Sequence, residues 1–460
     1  MGDHLEKWVA EVTGARTATL LRRPGGGRHQ AFDVIVEDGD GRTRELFLRA
    51  DAGDPPPWEH YTLRRESAIY TALGPTPVPV PQVVALHPEL PAAVMEKVDG
   101  VARFAGLDRA VQQEILDHFV TVLAALHELD ATRLELPGVL PAASVRDAVA
   151  NEIDVWERRL EDSAGPEPFL LACMRWLRDH NPDVADPPAL VQGDTGPGNF
   201  LHDGHRVTAV LDWELAHLGD PVEDLAWLAT RNSQEPVPDF ERFVADYERL
   251  AGPVDRARLA YHMVFAEVRI AILAAAREAG ARDLLGEVGN GLIYGALHKR
   301  LTVEALAAAT GVTLPPLAAP AAADAETPQT ILYDAALEQL RQIIVPHITD
   351  PFAASRAKSL ARVLKFLRGM DSHGAAFAAE ELRDIEALLG HPVTDAATGR
   401  LALVDAVHAG TLDASALLPS AWAAVRREHL AMGGAMGVLA SRHLPDPRVP
   451  APPATPGNEA

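Results

Sequence analysis

The chain has 460 residues, enough for two or three domains, and its 65 acidic against 42 basic residues give a net charge of −23. A surface of that sign repels phosphate backbones and anionic lipid, so no nucleic acid and no membrane partner is expected. Cys173 is the single cysteine, which excludes an internal disulfide framework and a cysteine-cluster metal site, and its apolar neighbours from Phe169 to Met174 predict burial.

No uninterrupted apolar run reaches the roughly 18 residues that a membrane span needs. Met1 to Val9 is charged and lacks a signal-peptide core, so a cytoplasmic location is expected.

Residues 1–100 read as a small strand-rich lobe. Strands are expected at Ala18–Arg22 and Ala31–Glu37, flanking Gly25-Gly26-Gly27, and another near Glu45–Arg49 after the Asp38-Gly39-Asp40-Gly41 turn. A helix follows from about Trp58 to Leu73. An extended segment opens at Val78-Pro79-Val80-Pro81, and Ala92–Lys97 gives a last strand before the Asp99-Gly100 turn. Residues 101–312 turn helical: Ile115, Phe119, Val122, Leu123 and Leu126 recur at helix spacing, a stripe that reads as core. Further helices are expected at Val145–Leu160, Phe169–Leu177, Phe240–Leu250, Leu259–Glu278 and Leu284–Ala309.

Residues 313–328 form a Pro/Ala-rich linker. Residues 329–444 carry amphipathic helices, one through Ile331, Leu332, Leu340 and Ile344 and another through Leu360, Val363, Leu364 and Leu367, but no catalytic constellation. Such a domain can pack on the rest, form a homodimer or dock a protein partner. The Pro-rich tail, 445–460, is expected to be disordered.

The chemistry concentrates between Val191 and Leu228. Asp194 precedes Asn199 by five residues, and Asn199 precedes Asp212 by thirteen. That order suits phosphoryl transfer from a magnesium nucleotide, where positioning and charge neutralisation carry most of the catalysis. Asp194 is the candidate to orient an acceptor hydroxyl and take its proton. Asn199 and Asp212 offer an amide oxygen and a carboxylate to Mg2+, which keeps several waters and needs few protein ligands. An Asp-x-x-x-x-Asn pair alone is a common turn pattern; three residues in register with a glycine-rich loop and a following strand, Arg206 to Leu211, are more specific. Asp220, Pro221 and Glu223 read as a helix start with a capping box. His217 reads as a structural histidine.

This stretch, with its Gly-Asp-x-x-x-x-Asn loop, Leu-Asp-Trp-Glu and Gly-Asp-Pro-x-x-Asp-Leu, resembles the aminoglycoside phosphotransferase-like small-molecule kinases, a group that includes choline and homoserine kinases. The wording is most similar to the branch fused to acyl-CoA dehydrogenases. The resemblance implies an α+β fold of protein-kinase type, with a small β-rich N-lobe, a large helical C-lobe and here an appended C-terminal helical bundle. It implies ATP as phosphoryl donor, with GTP as an alternative, and a small-molecule hydroxyl as acceptor. It places Gly25, Gly26 and Gly27 over the nucleotide phosphates, Arg49 on the α/β-phosphates with Glu66 pairing it, and Glu96 and Val98 in the hinge that meets the base. Glu267, Arg269 and His298 fall on the helices that build acceptor pockets in such enzymes.

Two positions depart from the pattern. Gln192 stands where the loop usually carries histidine, and Arg49 where protein kinases use lysine. The expected activity is phosphorylation of a small-molecule hydroxyl, with a hydroxyacyl or hydroxy-acid-derived acceptor suggested by the branch. The alternatives are a nucleotide-binding pseudokinase acting through its C-terminal domain and an aminoglycoside or other antibiotic kinase.

Overall fold

The computed structural model describes residues 2–23, 30–51, 59–163, 165–280, 288–317 and 326–447. Gly25, Gly26 and Gly27 lie outside the described residues, as do 318–325 of the expected linker and 448–460 of the expected tail.

The chain opens with α1 (Gly2–Thr13), then strands β1 (Thr17–Arg22), β2 (Gln30–Glu37) and β3 (Thr43–Ala50), helix α2 (Leu63–Leu73), and strands β4 (Val83–Leu86) and β5 (Ala92–Glu96). The five strands form one antiparallel sheet in the order β1-β2-β3-β5-β4. Strand alternation explains its core: Val34 and Val36 of β2, Leu46 and Leu48 of β3, and Ala92 and Val94 of β5 share a buried face. That face also takes Leu5, Trp8 and Val9 of α1. The sequence reading did not assign α1, although these three residues stand at i, i+3 and i+4 and make one helical face. Helix α2 begins at Leu63, five residues later than expected, because the Thr62 side chain accepts from the Arg65 N–H (3.3 Å) and caps it there.

The remaining elements are α3 (Arg109–His127), α4 (Val145–Ser163), α5 (Pro168–Asp179), β6 (Ala189–Val191), β7 (Phe200–His202), β8 (Val207–Val210), β9 (His217–Gly219), α6 (Pro221–Gln234), α7 (Phe240–Ala251), α8 (Arg256–Gly280), α9 (Val288–Thr310), α10 (Thr330–Gln339), α11 (Pro351–Leu389), α12 (Ala396–His408) and α13 (Ala414–Met436). Two short antiparallel ladders, β6 with β9 and β7 with β8, frame the Asp194 loop. The architecture is a β-sheet N-terminal region followed by a mostly helical remainder with further C-terminal helices, the α+β class expected.

The described chain forms two compact units, one of residues 1–151 and 182–259, the other of 152–181 and 260–447. These limits differ from the expected domain boundaries. Residues 260–312, grouped by the sequence with the catalytic region, share a unit with the helices beyond 329. The cause is packing: Ile293, Leu297 and Leu301 of α9 make a buried cluster with Met432, Ala435 and Met436 of α13. Arg300 reinforces it by donating to the Ala440 carbonyl (2.5 Å) and the Leu439 carbonyl (3.1 Å) beyond α13. Among the described residues, Arg256–Ala276 is the one helical stretch long and apolar enough to cross a membrane. Glu267 and Arg269 interrupt its apolar run, and most of the stretch is buried in the fold.

Candidate active site

Asp194 lies on the loop between β6 and β7, and the loop's shape follows from its glycines. Gly193 has φ +75°, and a Cβ there would stand 2.6 Å from the Leu215 carbonyl oxygen. Gly196 has φ +141°, and its Cβ would meet the Arg231 side chain at 3.0 Å. The buried Asp224 of α6 holds the loop start: its two carboxylate oxygens accept from the Gln192 and Gly193 N–H groups, each at 2.9 Å. His127 braces Asp224 in turn, with Nε2 3.0 Å from Oδ2 and Nδ1 2.7 Å from the Tyr247 hydroxyl. Gln192 donates from Nε2 to the Leu211 carbonyl (2.7 Å), so glutamine bridges the loop to the segment carrying Asp212.

Asn199 donates from Nδ2 to both the backbone carbonyl and Oδ2 of Asp194, each at 2.8 Å. Its amide oxygen therefore points away from Asp194. Arg231 of α6 meets the same carboxylate as a fork, Nε donating to Oδ1 at 2.8 Å and Nη2 to Oδ2. Burial raises the Asp194 pKa above the ordinary aspartate value; Arg231 pulls against it, and Asp212 adds to the rise.

Asp212 follows β8 with φ +60°, the only non-glycine residue with positive φ among those described. Asp tolerates this left-handed conformation better than most, at a cost of about 1–3 kcal/mol that surrounding contacts must offset. One contact is visible: the Asp212 N–H donates to the Tyr70 hydroxyl at 3.0 Å. Another reaches across from β3, where Arg49 Nη2 donates to Asp212 Oδ1 at 3.2 Å. Arg49 Nη1 donates to Glu66 Oε1 at 2.5 Å, and Glu214 Oε2 lies 4.0 Å from the same guanidinium. Burial works against the Arg49 charge, but Glu66, Asp212, Tyr70 and Glu214 outweigh it and raise its pKa. The Tyr70 hydroxyl is also pushed up, by burial first and then by Glu66. Glu66 and Tyr70 stand four residues apart on α2, so one helix face serves both Arg49 and Asp212.

Five of the residues expected at the site thus come together: Asp194, Asn199, Asp212, Arg49 and Glu66. Glu96 ends β5, where its N–H donates to the Gln82 carbonyl (2.8 Å) and its carboxylate lies 3.4 Å from Arg44 Nη1; Val98 follows it, half-buried. Glu267, Arg269 and His298 do not face an open acceptor surface. They are buried within the second unit, His298 Nδ1 being 2.8 Å from Glu267 Oε2 and Arg269 lying 3.8 Å over the Phe265 ring. Asp220 caps α6 through the Val222 N–H (3.0 Å) and receives the Arg258 fork. The Glu223 carboxylate lies 3.3 Å from His217 Nε2.

Tyr70, Asp224 and Arg231 were not singled out from the sequence. Spacing held a signal for two of them: Tyr70 follows Glu66 by one turn, and Arg231 follows Asp224 by two turns on one face of α6.

The donor set suits a magnesium nucleotide. Asp212 offers a carboxylate and Asn199 an amide oxygen turned away from Asp194, both hard oxygen donors of the kind Mg2+ takes.

The segments that meet here all lie within the stretch of the chain that matches a known family. The phosphotransferase enzyme family matches residues 20–262, more than half of the chain, and the chain belongs to that family. Mouse acyl-CoA dehydrogenase family member 10 is 28% identical over 243 residues, covering 49% of this chain and 22% of the relative. Human acyl-CoA dehydrogenase family member 11 is 29% identical over 279 residues, covering 55% of this chain and 34% of the relative. The chain therefore spans about a fifth to a third of these relatives. Among solved structures, a protein from Ralstonia eutropha, whose given name assigns it provisionally to the aminoglycoside phosphotransferases, superposes with a TM-score of 0.52 at 22% identity. That likeness covers 68% of this chain and 99% of the other, and it concerns the fold.

Proposed function

We propose that this protein transfers the γ-phosphoryl group of ATP to a hydroxyl of a small molecule, with Asp194 as the base, Asn199 and Asp212 as the magnesium ligands, and Arg49 on the nucleotide phosphates. The observation that carries the reading is the meeting of four separate segments: Arg49 contacts Glu66 (2.5 Å) and Asp212 (3.2 Å), Asn199 contacts Asp194 (2.8 Å), and the Leu211 N–H donates to the Asn199 carbonyl (2.8 Å) to join the two groups. Mg2+, when bound, neutralises charge on the phosphates and helps hold them in line.

In the reaction the acceptor oxygen bonds to the γ-phosphorus while the bond from that phosphorus to the ADP oxygen breaks. The hydroxyl proton passes to the Asp194 carboxylate and then to solvent. The transition state of phosphoryl transfer is loose, so the acceptor needs orientation more than early deprotonation. An aspartate held by Arg231 and Asn199 meets that need. Arg49 cannot lose its charge under working conditions, and with Glu66 buried behind it the guanidinium is aimed at the Asp212 side, where phosphates and metal would sit. Gly25, Gly26 and Gly27 would cover the phosphates, and the backbone at Glu96 and Val98 would meet the base. The acyl-CoA dehydrogenase relatives support a hydroxyacyl or hydroxy-acid-derived acceptor.

The test is magnesium-dependent ADP formation against pooled sugars, amino alcohols, hydroxy acids, hydroxyacyl-CoAs and aminoglycosides. Turnover in the hydroxy-acid or hydroxyacyl pool, lost in Asp194→Asn, is the expected result. Turnover only with aminoglycosides would replace the acceptor class, and tight MgATP binding without turnover in any pool would reject the kinase assignment in favour of a pseudokinase.

A further inference from the structure

The Asp194 carboxylate has more partners than a base strictly requires. Oδ2 accepts from Arg231 Nη2 and from Asn199 Nδ2 (2.8 Å), whereas Oδ1 accepts from Arg231 Nε (2.8 Å). The Arg231 stem runs close over the loop at Gly196, where a Cβ would lie 3.0 Å from Arg231 Cβ, so this glycine leaves room for the side chain that carries the guanidinium to Asp194. The pair is mostly enclosed, with side-chain exposures of 23% for Arg231 and 19% for Asp194.

We propose that Arg231 is the positioning residue of the reaction, fixing the Asp194 carboxylate so that Oδ1, the less occupied oxygen, receives the acceptor proton. The inference rests on the reading of Asp194 as the base. A forked guanidinium is suited to this because it fixes both the plane and the rotation of a carboxylate, which a point-charge ammonium does not. Glu235 belongs to the same electrostatic neighbourhood on the Arg231 side, and Asp212 on the Asp194 side.

The test compares wild type, Arg231→Met, Arg231→Lys and Asp194→Asn as full-length chains. One readout is the split between kcat and KM in ADP formation from MgATP with any active pool as acceptor. The other is the response of kcat to added guanidinium ion. Arg231→Met should lower kcat roughly tenfold or more, a fraction of what a general base contributes, with KM for MgATP changed less than about twofold. Added guanidinium ion should recover part of kcat.

Arg231→Lys keeps the charge and loses the fork, so kcat should stay low. If Arg231→Met does not fold, wild-type kcat in Arg231→Lys overturns the proposal. A folded Arg231→Met with wild-type kcat, or a lowered kcat that guanidinium ion does not recover at all, also overturns it. Wild-type turnover in Asp194→Asn would instead remove the base assignment.

Discussion

Replacing Glu66 with alanine tests whether β3, α2 and the Asp212 segment act as one electrostatic unit. In the structure Glu66 is fully buried, the Arg49 side chain is 14% exposed, and their contact is 2.5 Å. Breaking a buried ion pair from one side costs about 3–5 kcal/mol, because the remaining charge loses its compensation. Here Asp212 stays at 3.2 Å and Glu214 at 4.0 Å, so the guanidinium is not stranded. The cost should therefore fall at the lower end, about 3 kcal/mol. For a cooperative unit of this size that corresponds to a loss of roughly 6–12 °C in Tm, at about 2–4 °C per kcal/mol. Calorimetry on wild type and Glu66→Ala measures the stability term, and nucleotide titration measures whether Arg49, drawn wholly to Asp212, still meets phosphates. A Tm within a degree of wild type together with unchanged MgATP affinity would refute the coupling of Arg49 to Glu66.

Three further outcomes follow from the same contacts. Tyr70→Phe removes the hydroxyl that accepts from the Asp212 N–H and should cost about 1–3 kcal/mol, with weaker Mn2+ binding by electron paramagnetic resonance; unchanged Mn2+ affinity would show that Tyr70 does not support the metal segment. Gly193→Ala combines positive φ with a 2.6 Å approach to Leu215 O, so denaturant unfolding should show a loss exceeding about 1 kcal/mol. Because burial raises the Asp194 pKa, the acid limb of kcat should lie above the ordinary aspartate value of about 3.9: activity falls as pH drops through the raised pKa and protonates the base. A limb at or below the ordinary value would contradict that environment.

Much of the site was legible because phosphoryl transfer fixes residue types along short stretches. Asp194, Asn199 and Asp212 are close in sequence, and the turn and strand between them constrain their register. Arg49 and Glu66 were named through the resemblance, and the two side chains meet at 2.5 Å. Arg231 and Asp224 were harder to read. Their roles depend on how α6 lies across the loop, and spacing within a helix says which residues share a face without saying what that face meets. Tyr70 reads as an ordinary core aromatic until the left-handed turn at Asp212 gives its hydroxyl a partner. Helix α1 was missed because its charged residues dominate the segment, while Leu5, Trp8 and Val9 supply only one short apolar face. Residues 260–312 were grouped by chain continuity, yet the apolar residues of α9 find their partners on α13. Glu267, Arg269 and His298 were named because the resemblance builds acceptor pockets from these later helices, but the structure buries all three, with His298 against Glu267 and Arg269 over the Phe265 ring.

The central claim is transfer of a phosphoryl group to a hydroxyl through Asp194. The most direct measurement is 31P NMR of the full-length protein with MgATP and the acceptor pool that supports ADP formation. A new phosphate-monoester resonance that grows in step with ADP, and is absent in Asp194→Asn or when EDTA replaces magnesium, is the predicted result. ADP formation accompanied only by inorganic phosphate, or a monoester that forms equally well in Asp194→Asn, would contradict it.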